Sequence, residues 1–132
     1  MANMAWWQQL LVIGAGGAVG SIGRFLTSEW IAKQAGRGFP WGTLTVNFLG
    51  SFLAGLAFAW LASRDGGPAW LRLLLMVGVL GGFTTWSSFA LETLLLGRGG
   101  GFGLAGAYVL ASLFGGMLLV ALGWWLGARG FG

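Results

Sequence analysis

The run GVLGGFTTWSSF, Gly78–Phe89, decides how this chain folds. It lies inside an apolar segment that starts near Trp70 and ends near Leu96, long enough to cross a bilayer. Gly81 and Gly82 stand side by side, and Thr84, Thr85, Ser87 and Ser88 follow, with Trp86 and Phe89 interleaved. Adjacent glycines weaken a helix. Hydroxyl side chains offer the backbone competing hydrogen-bond partners. The run therefore predicts a helix broken at membrane depth over Gly81–Thr85. Backbone groups freed there must be buried in protein or line a polar cavity. A break also creates two termini, one suited to an anion and one, at the carbonyl end, to a cation. A kinked packing helix is the simpler alternative.

Working outward, the composition limits what surrounds this run. Of 132 residues, 57% are hydrophobic and 8% charged, which is not the make-up of a soluble domain. The expectation is an all-α membrane protein, a single domain of four transmembrane helices over residues 1–132, in the lipid bilayer. Cysteine and histidine are absent, and there are three acidic residues in all. Thiolate chemistry is excluded, and the commonest general base and paired-carboxylate catalysis have nothing to rest on, so an enzyme is not expected. The net charge of +4 sits at helix ends, the pattern of lipid headgroup contact rather than nucleic-acid binding. The N-terminus shows no basic n-region or cleavage site, and reads as mature.

The first span is expected from about Ala5 to Phe25, with Trp6 and Trp7 as interfacial anchors. Gly16, Gly20 and Arg24 recur every four residues and share a face that admits another helix. Arg24 either snorkels to headgroups or faces a wet vestibule as a structural or anion-attracting charge. Glu29, Lys33 and Arg37 are assigned to the first loop, closed by Gly38, Pro40 and Trp41. The second span, about Gly42 to Ser63, places Thr43, Asn47 and Ser51 on one face; Asn47 serves either a helix–helix hydrogen bond or function. In the third span Glu92 is compatible with facing water, pairing with a basic group or capping a polar passage. The fourth, about Phe102 to Leu126, aligns Tyr108, Ser112 and Gly116. Four spans put Arg64, Arg72 and Arg129 on one side and Lys33, Arg37 and Arg98 on the other. Orientation follows an excess of such residues, and here there is none. The balance predicts insertion in both orientations and pairing as an antiparallel, dual-topology homodimer.

Three stretches together, GAGGAVGSIGRF (Gly14–Phe25), GTLTVNFLGSF (Gly42–Phe52) and GVLGGFTTWSSFALE (Gly78–Glu92), carry a resemblance over essentially the whole chain. The chain resembles the Fluc, or CrcB, fluoride channels of bacteria and archaea. The resemblance implies an antiparallel homodimer in the cell (inner) membrane that lowers cytoplasmic fluoride by passive, selective conduction through two pathways. It implies a structural sodium ion (Na+) at the dimer interface, held by the main-chain carbonyls of Gly81 and Thr84. It puts Asn47, Trp86, Phe89, Tyr108 and Ser112 on the fluoride pathway, with Thr85 and Ser88 beside them. Arg24 and Thr43 also match family positions; with Glu92 they are read as vestibule or structural residues. Two positions depart from the family: Trp86 stands for a phenylalanine and Ser88 for a threonine. The indole is larger and carries an N–H donor; it is either tolerated or alters conduction. Gly116 stands where the polar track would continue. The alternative is a small multidrug-type four-helix transporter, which needs an embedded carboxylate in the first span; none lies between Ala5 and Phe25. A structural subunit without a pathway would not need four hydroxyls beside a glycine pair.

Overall fold

A computed structural model describes residues 3–132. Four helical segments in it are long and apolar enough to cross a membrane: Trp6–Ala35, Trp41–Ala62, Ala69–Arg98 and Phe102–Phe131. The first, α1 (Trp6–Ala35), runs well past Phe25. Residues 26–35 contain neither glycine nor proline to stop it. The stop comes at Gly36, whose φ of 82° suits a residue without a side chain, and whose N–H donates to the Ala32 carbonyl. Glu29 and Lys33 therefore ride on the helix, contrary to their assignment to the first loop, and only Arg37 of the three lies in the connection. Trp41 opens the second helix, α2 (Trp41–Ala62).

The third segment is composite. It begins as α3 (Ala69–Arg72), widens into a π-helical stretch over Leu73–Leu80, and closes as α4 (Gly81–Phe83). Thr84 (φ −84°, ψ 155°) and Thr85 (φ −146°, ψ 121°) are extended, and α5 (Trp86–Arg98) follows. The glycine pair, expected to be part of the break, is itself helical. For Gly82 the reason for being glycine is contact, whereas a Cβ on Gly81 would meet only the Met76 carbonyl oxygen at an ordinary 3.7 Å. A Cβ on Gly82 would sit 2.6 Å from the Gly17 carbonyl oxygen, and one on Gly16 would sit 2.7 Å from that of Leu74. Small residues on both helices thus bring two backbones together where a side chain would part them. The same device joins α2 to the last helix. That segment comprises α6 (Phe102–Leu110), a π-helical stretch over Ala111–Gly115 and α7 (Gly116–Phe131). Gly55 of α2 abuts the backbone of Val120 and Trp124, and Gly123 of α7 abuts that of Phe52 and Leu56.

Little of the apolar surface is enclosed within one chain. The buried cluster is Leu44, Phe89 and Tyr108, with Phe39, Phe48, Leu96 and Val109 against it. Large side chains such as Leu11, Val19, Phe102 and Leu118 face outward, as they do where the solvent is lipid.

Candidate functional site

The two extended threonines leave backbone groups that no helix satisfies, and α2 supplies the missing partner. Asn47 Nδ2 donates to the Thr85 carbonyl at 3.0 Å, and the Thr85 N–H donates to Asn47 Oδ1 at 2.8 Å. The side-chain amide behaves as a neighbouring strand would, closing both halves of one peptide's hydrogen bonding. One of the two Nδ2 hydrogens is left over. Thr85 also caps α5: its Oγ1 accepts from the Ser88 N–H at 3.2 Å and donates to Ser88 Oγ at 3.2 Å. Thr84 Oγ1 turns back to the Leu80 carbonyl at 3.0 Å.

On the other side of the gap, Arg24 Nε donates to the Gly82 carbonyl at 3.0 Å. Arg24 thus neutralises a carbonyl at the C-terminal end of α4, a favourable place for a cation. That contact is a structural one. In a continuous helix the Thr85 N–H would go to the Gly81 carbonyl; here it goes to Asn47, so the Gly81 carbonyl lacks its helical donor.

Next to the threonines lies an aromatic cluster. The Phe89 ring centroid is 5.1 Å from that of Trp86 and 5.1 Å from that of Tyr108. Phe39 meets Tyr108 edge-on at 5.4 Å. Tyr108 is fully enclosed, while Trp86 is 71% exposed at the rim. The Tyr108 hydroxyl donates to Glu92 Oε2 at 2.7 Å, and Thr43 Oγ1 donates to Glu92 Oε1 at 2.7 Å. Glu92 is therefore held by two hydroxyls rather than by a basic group. The Tyr108 proton is thus committed to Glu92. The buried hydroxyl left without a partner among the described residues is Ser112 Oγ.

Two cavities flank this cluster. One, of about 390 Å³, is lined by Asn47, Thr84, Thr85, Trp86, Phe89 and Ser112 among others. The second, of about 360 Å³, is lined by Arg37, Phe39, Thr43 and Glu92 among others. Phe89 lines the first and packs against Tyr108, which lines neither but whose hydroxyl is bound to Glu92 in the lining of the second. The structure thus gathers Asn47, Thr85, Trp86, Phe89 and Ser112 at one cavity, and Thr43 with Glu92 at the other. Ser88 and Arg24 line neither of these two. Phe39 escaped the sequence reading; its signal is Pro40, which keeps the residue before it out of helix and lets the ring fold back on Tyr108.

The family profile described as CrcB-like protein, Camphor Resistance (CrcB), matches residues 11–124. A protein of Xanthomonas euvesicatoria pv. vesicatoria named fluoride-specific ion channel FluC is 48% identical over 129 residues, 94% of this chain and 96% of that one. A protein of the same name from Thermus thermophilus is 48% identical over 120 residues, 91% of this chain and 94% of its own length. Another of that name from Xylella fastidiosa (strain 9a5c) is 45% identical, over 97% of this chain and 90% of the relative.

Proposed function

The chain belongs to the CrcB family, and from that premise we propose that this multi-pass membrane protein is a fluoride-selective channel, passively exporting fluoride from the cytoplasm. One observation carries the reading most directly. Ser112, whose buried hydroxyl has no partner among the described residues, lines the same cavity as Asn47 and Phe89.

The chemistry follows from the anion's size. Fluoride holds its water tightly, and leaving it is costly unless the protein replaces those hydrogen bonds. Ser112 Oγ–H and the spare Nδ2 hydrogen of Asn47 are the donors available to do so. Aromatic ring edges carry partial positive charge, and Phe89, between Trp86 and Tyr108, bridges from this cavity toward the next. There the anion meets Glu92. Its carboxylate is already occupied by the Thr43 and Tyr108 hydroxyls, which soften its charge. The extended pair Thr84–Thr85, an interruption in the third span, exposes the N-terminus of α5 to the same cavity, and such ends favour anions. A narrow bore with fixed donors selects against larger halides.

An antiparallel, dual-topology homodimer completes this picture. The cavity beside Trp86 opens on the side of a single chain, so a second copy would shield an ion there from lipid. The even division of basic residues, Arg64, Arg72 and Arg129 against Lys33, Arg37 and Arg98, is compatible with both orientations. A structural sodium ion fits the carbonyl end of the interruption. The Gly81 oxygen lacks its helical donor, Gly81 is exposed on the single chain, and Thr84 O lies just past the last helical residue. Sodium would neutralise these carbonyls and offset the field on a nearby anion. The transporter alternative loses ground for a local reason as well: Glu29, though on α1, is bound to Arg37 near its end.

Phe89→Ile tests the pathway. It keeps bulk but removes the ring edge, and is expected to cut fluoride efflux from proteoliposomes by about tenfold or more, the loss of roughly 1.4 kcal/mol of anion stabilisation. Efflux within a factor of two of the unmodified protein would take Phe89 off the pathway. Labelling a C-terminal tag on those vesicles from each face checks orientation; access from one face only would remove the antiparallel dimer.

A further inference from the structure

The cavity that ends on Thr43 and Glu92 has a charged rim the fold does not require. Glu29, two turns before the end of α1, and Arg37, just after it, both line that cavity. Arg37 Nη2 donates to Glu29 Oε2 at 2.9 Å, and Nη1 lies 3.5 Å from Oε1. Both side chains stay well exposed, 67% for Arg37 and 37% for Glu29. An ion pair in that setting contributes little to stability. It does set the charge at an opening whose far wall is Glu92, and through Glu92 and Tyr108 that opening reaches Phe89.

We propose that Arg37 is the residue that draws the anion into this mouth of the pathway, and that Glu29 restrains it by pairing with its guanidinium. The inference rests on the fluoride-channel reading above. With the pair closed, Glu29 and Arg37 offset each other and Lys33, one turn after Glu29 on α1, is the remaining cation near them, while the Glu92 carboxylate lines the same cavity. With the pair open, Arg37 presents a full positive charge over the same cavity, in a cleft with apolar walls from Phe39, Pro40, Leu95 and Leu96 that focuses its field. Because the pair is exposed and weakly held, an incoming anion can compete with Glu29 for the guanidinium. Neither residue lines the cavity of Asn47, Phe89 and Ser112, so their effect belongs to capture rather than to selectivity.

The test is ionic strength. Long-range attraction acts over about 30 Å at 0.01 M salt and about 3 Å at 1 M. Fluoride flux is measured in proteoliposomes at both salt levels, with potassium isethionate as the added salt. Glu29→Gln, which leaves Arg37 unpaired, is expected to raise flux about two- to fivefold at low salt, and Arg37→Gln to lower it by a similar factor. At high salt both are expected to match the unmodified protein, with the fluoride-over-chloride preference unchanged throughout. Changes of equal size at both salt levels, or none at either, would overturn the proposal while the unmodified protein still conducts. A lack of fluoride flux in the unmodified protein would instead overturn the channel reading itself. Elution of each variant in detergent as the same single species as the unmodified protein separates an altered rim from a failure to fold.

Discussion

Asn47→Asp is expected to reduce fluoride efflux by roughly a hundredfold. Two effects add in the same direction. The substituted carboxylate still accepts the Thr85 N–H but puts an oxygen where Nδ2 now donates to the Thr85 carbonyl, 3.0 Å away. An acceptor facing an acceptor leaves that carbonyl unsatisfied, a cost of about 1–3 kcal/mol. The new negative charge also lines the cavity that holds Ser112 and Phe89. At an assumed separation of ~5 Å and an effective dielectric of ~20, it opposes an entering anion by about 3 kcal/mol. Initial efflux rates, normalised to the protein incorporated, measure the effect. A rate within threefold of the unmodified protein would mean that the Asn47 side chain neither fixes Thr85 nor faces the anion.

Gly20→Ala is expected to disrupt the fold itself. A Cβ there would lie 2.8 Å from the Phe83 nitrogen and collide with the Val79 carbonyl. Both are backbone atoms of the segment leading to the extended threonines, so no side chain can step aside. Overpacking of this kind costs about 1–3 kcal/mol and more where relief is blocked. It would also push α4 away from Arg24 and its bond to Gly82. Gly23→Ala, one turn later, is the matched control. Its Cβ would meet only the Phe83 ring at 3.6 Å, an ordinary contact, and replacing glycine in a helix interior brings about 0.5–1 kcal/mol of stability. Thermal loss of the monodisperse detergent-solubilised species is the measurement. The expected order is Gly20→Ala well below the unmodified protein and Gly23→Ala at or above it. Equal stability of the two variants would show that the α1 glycines are not packing contacts.

These glycines also mark what could be read before the structure and what could not. The four spans were legible because hydropathy is a property summed over twenty residues, and small errors cancel. The end of α1 was not: charge at Glu29 and Lys33 suggested water, but a helix continues until its backbone is stopped, and that happens at Gly36. Gly81 and Gly82 were legible as unusual, while their role was ambiguous. The same missing side chain weakens a helix and permits contact, and only the position of Gly17 on another helix shows the second use, for Gly82 alone. Asn47, Phe89 and Ser112, from three different segments, line one cavity. The direction of each hydrogen bond was beyond reach. Tyr108 and Glu92 come from different segments, and which acceptor a hydroxyl finds depends on how those segments pack. The π-helical stretches over Leu73–Leu80 and Ala111–Gly115 left no signal either, since their residues are those of any apolar helix.

The account stands or falls on replacement of fluoride's water by Asn47, Ser112 and the aromatic edges around Phe89. The most direct measurement loads liposomes with potassium fluoride or potassium chloride, adds valinomycin to clamp the potential, and records the released anion with a selective electrode. The prediction is rapid fluoride release from vesicles carrying the protein, with chloride retained as in protein-free vesicles. Fluoride held as firmly as in protein-free vesicles, or chloride released at a comparable rate, would contradict it.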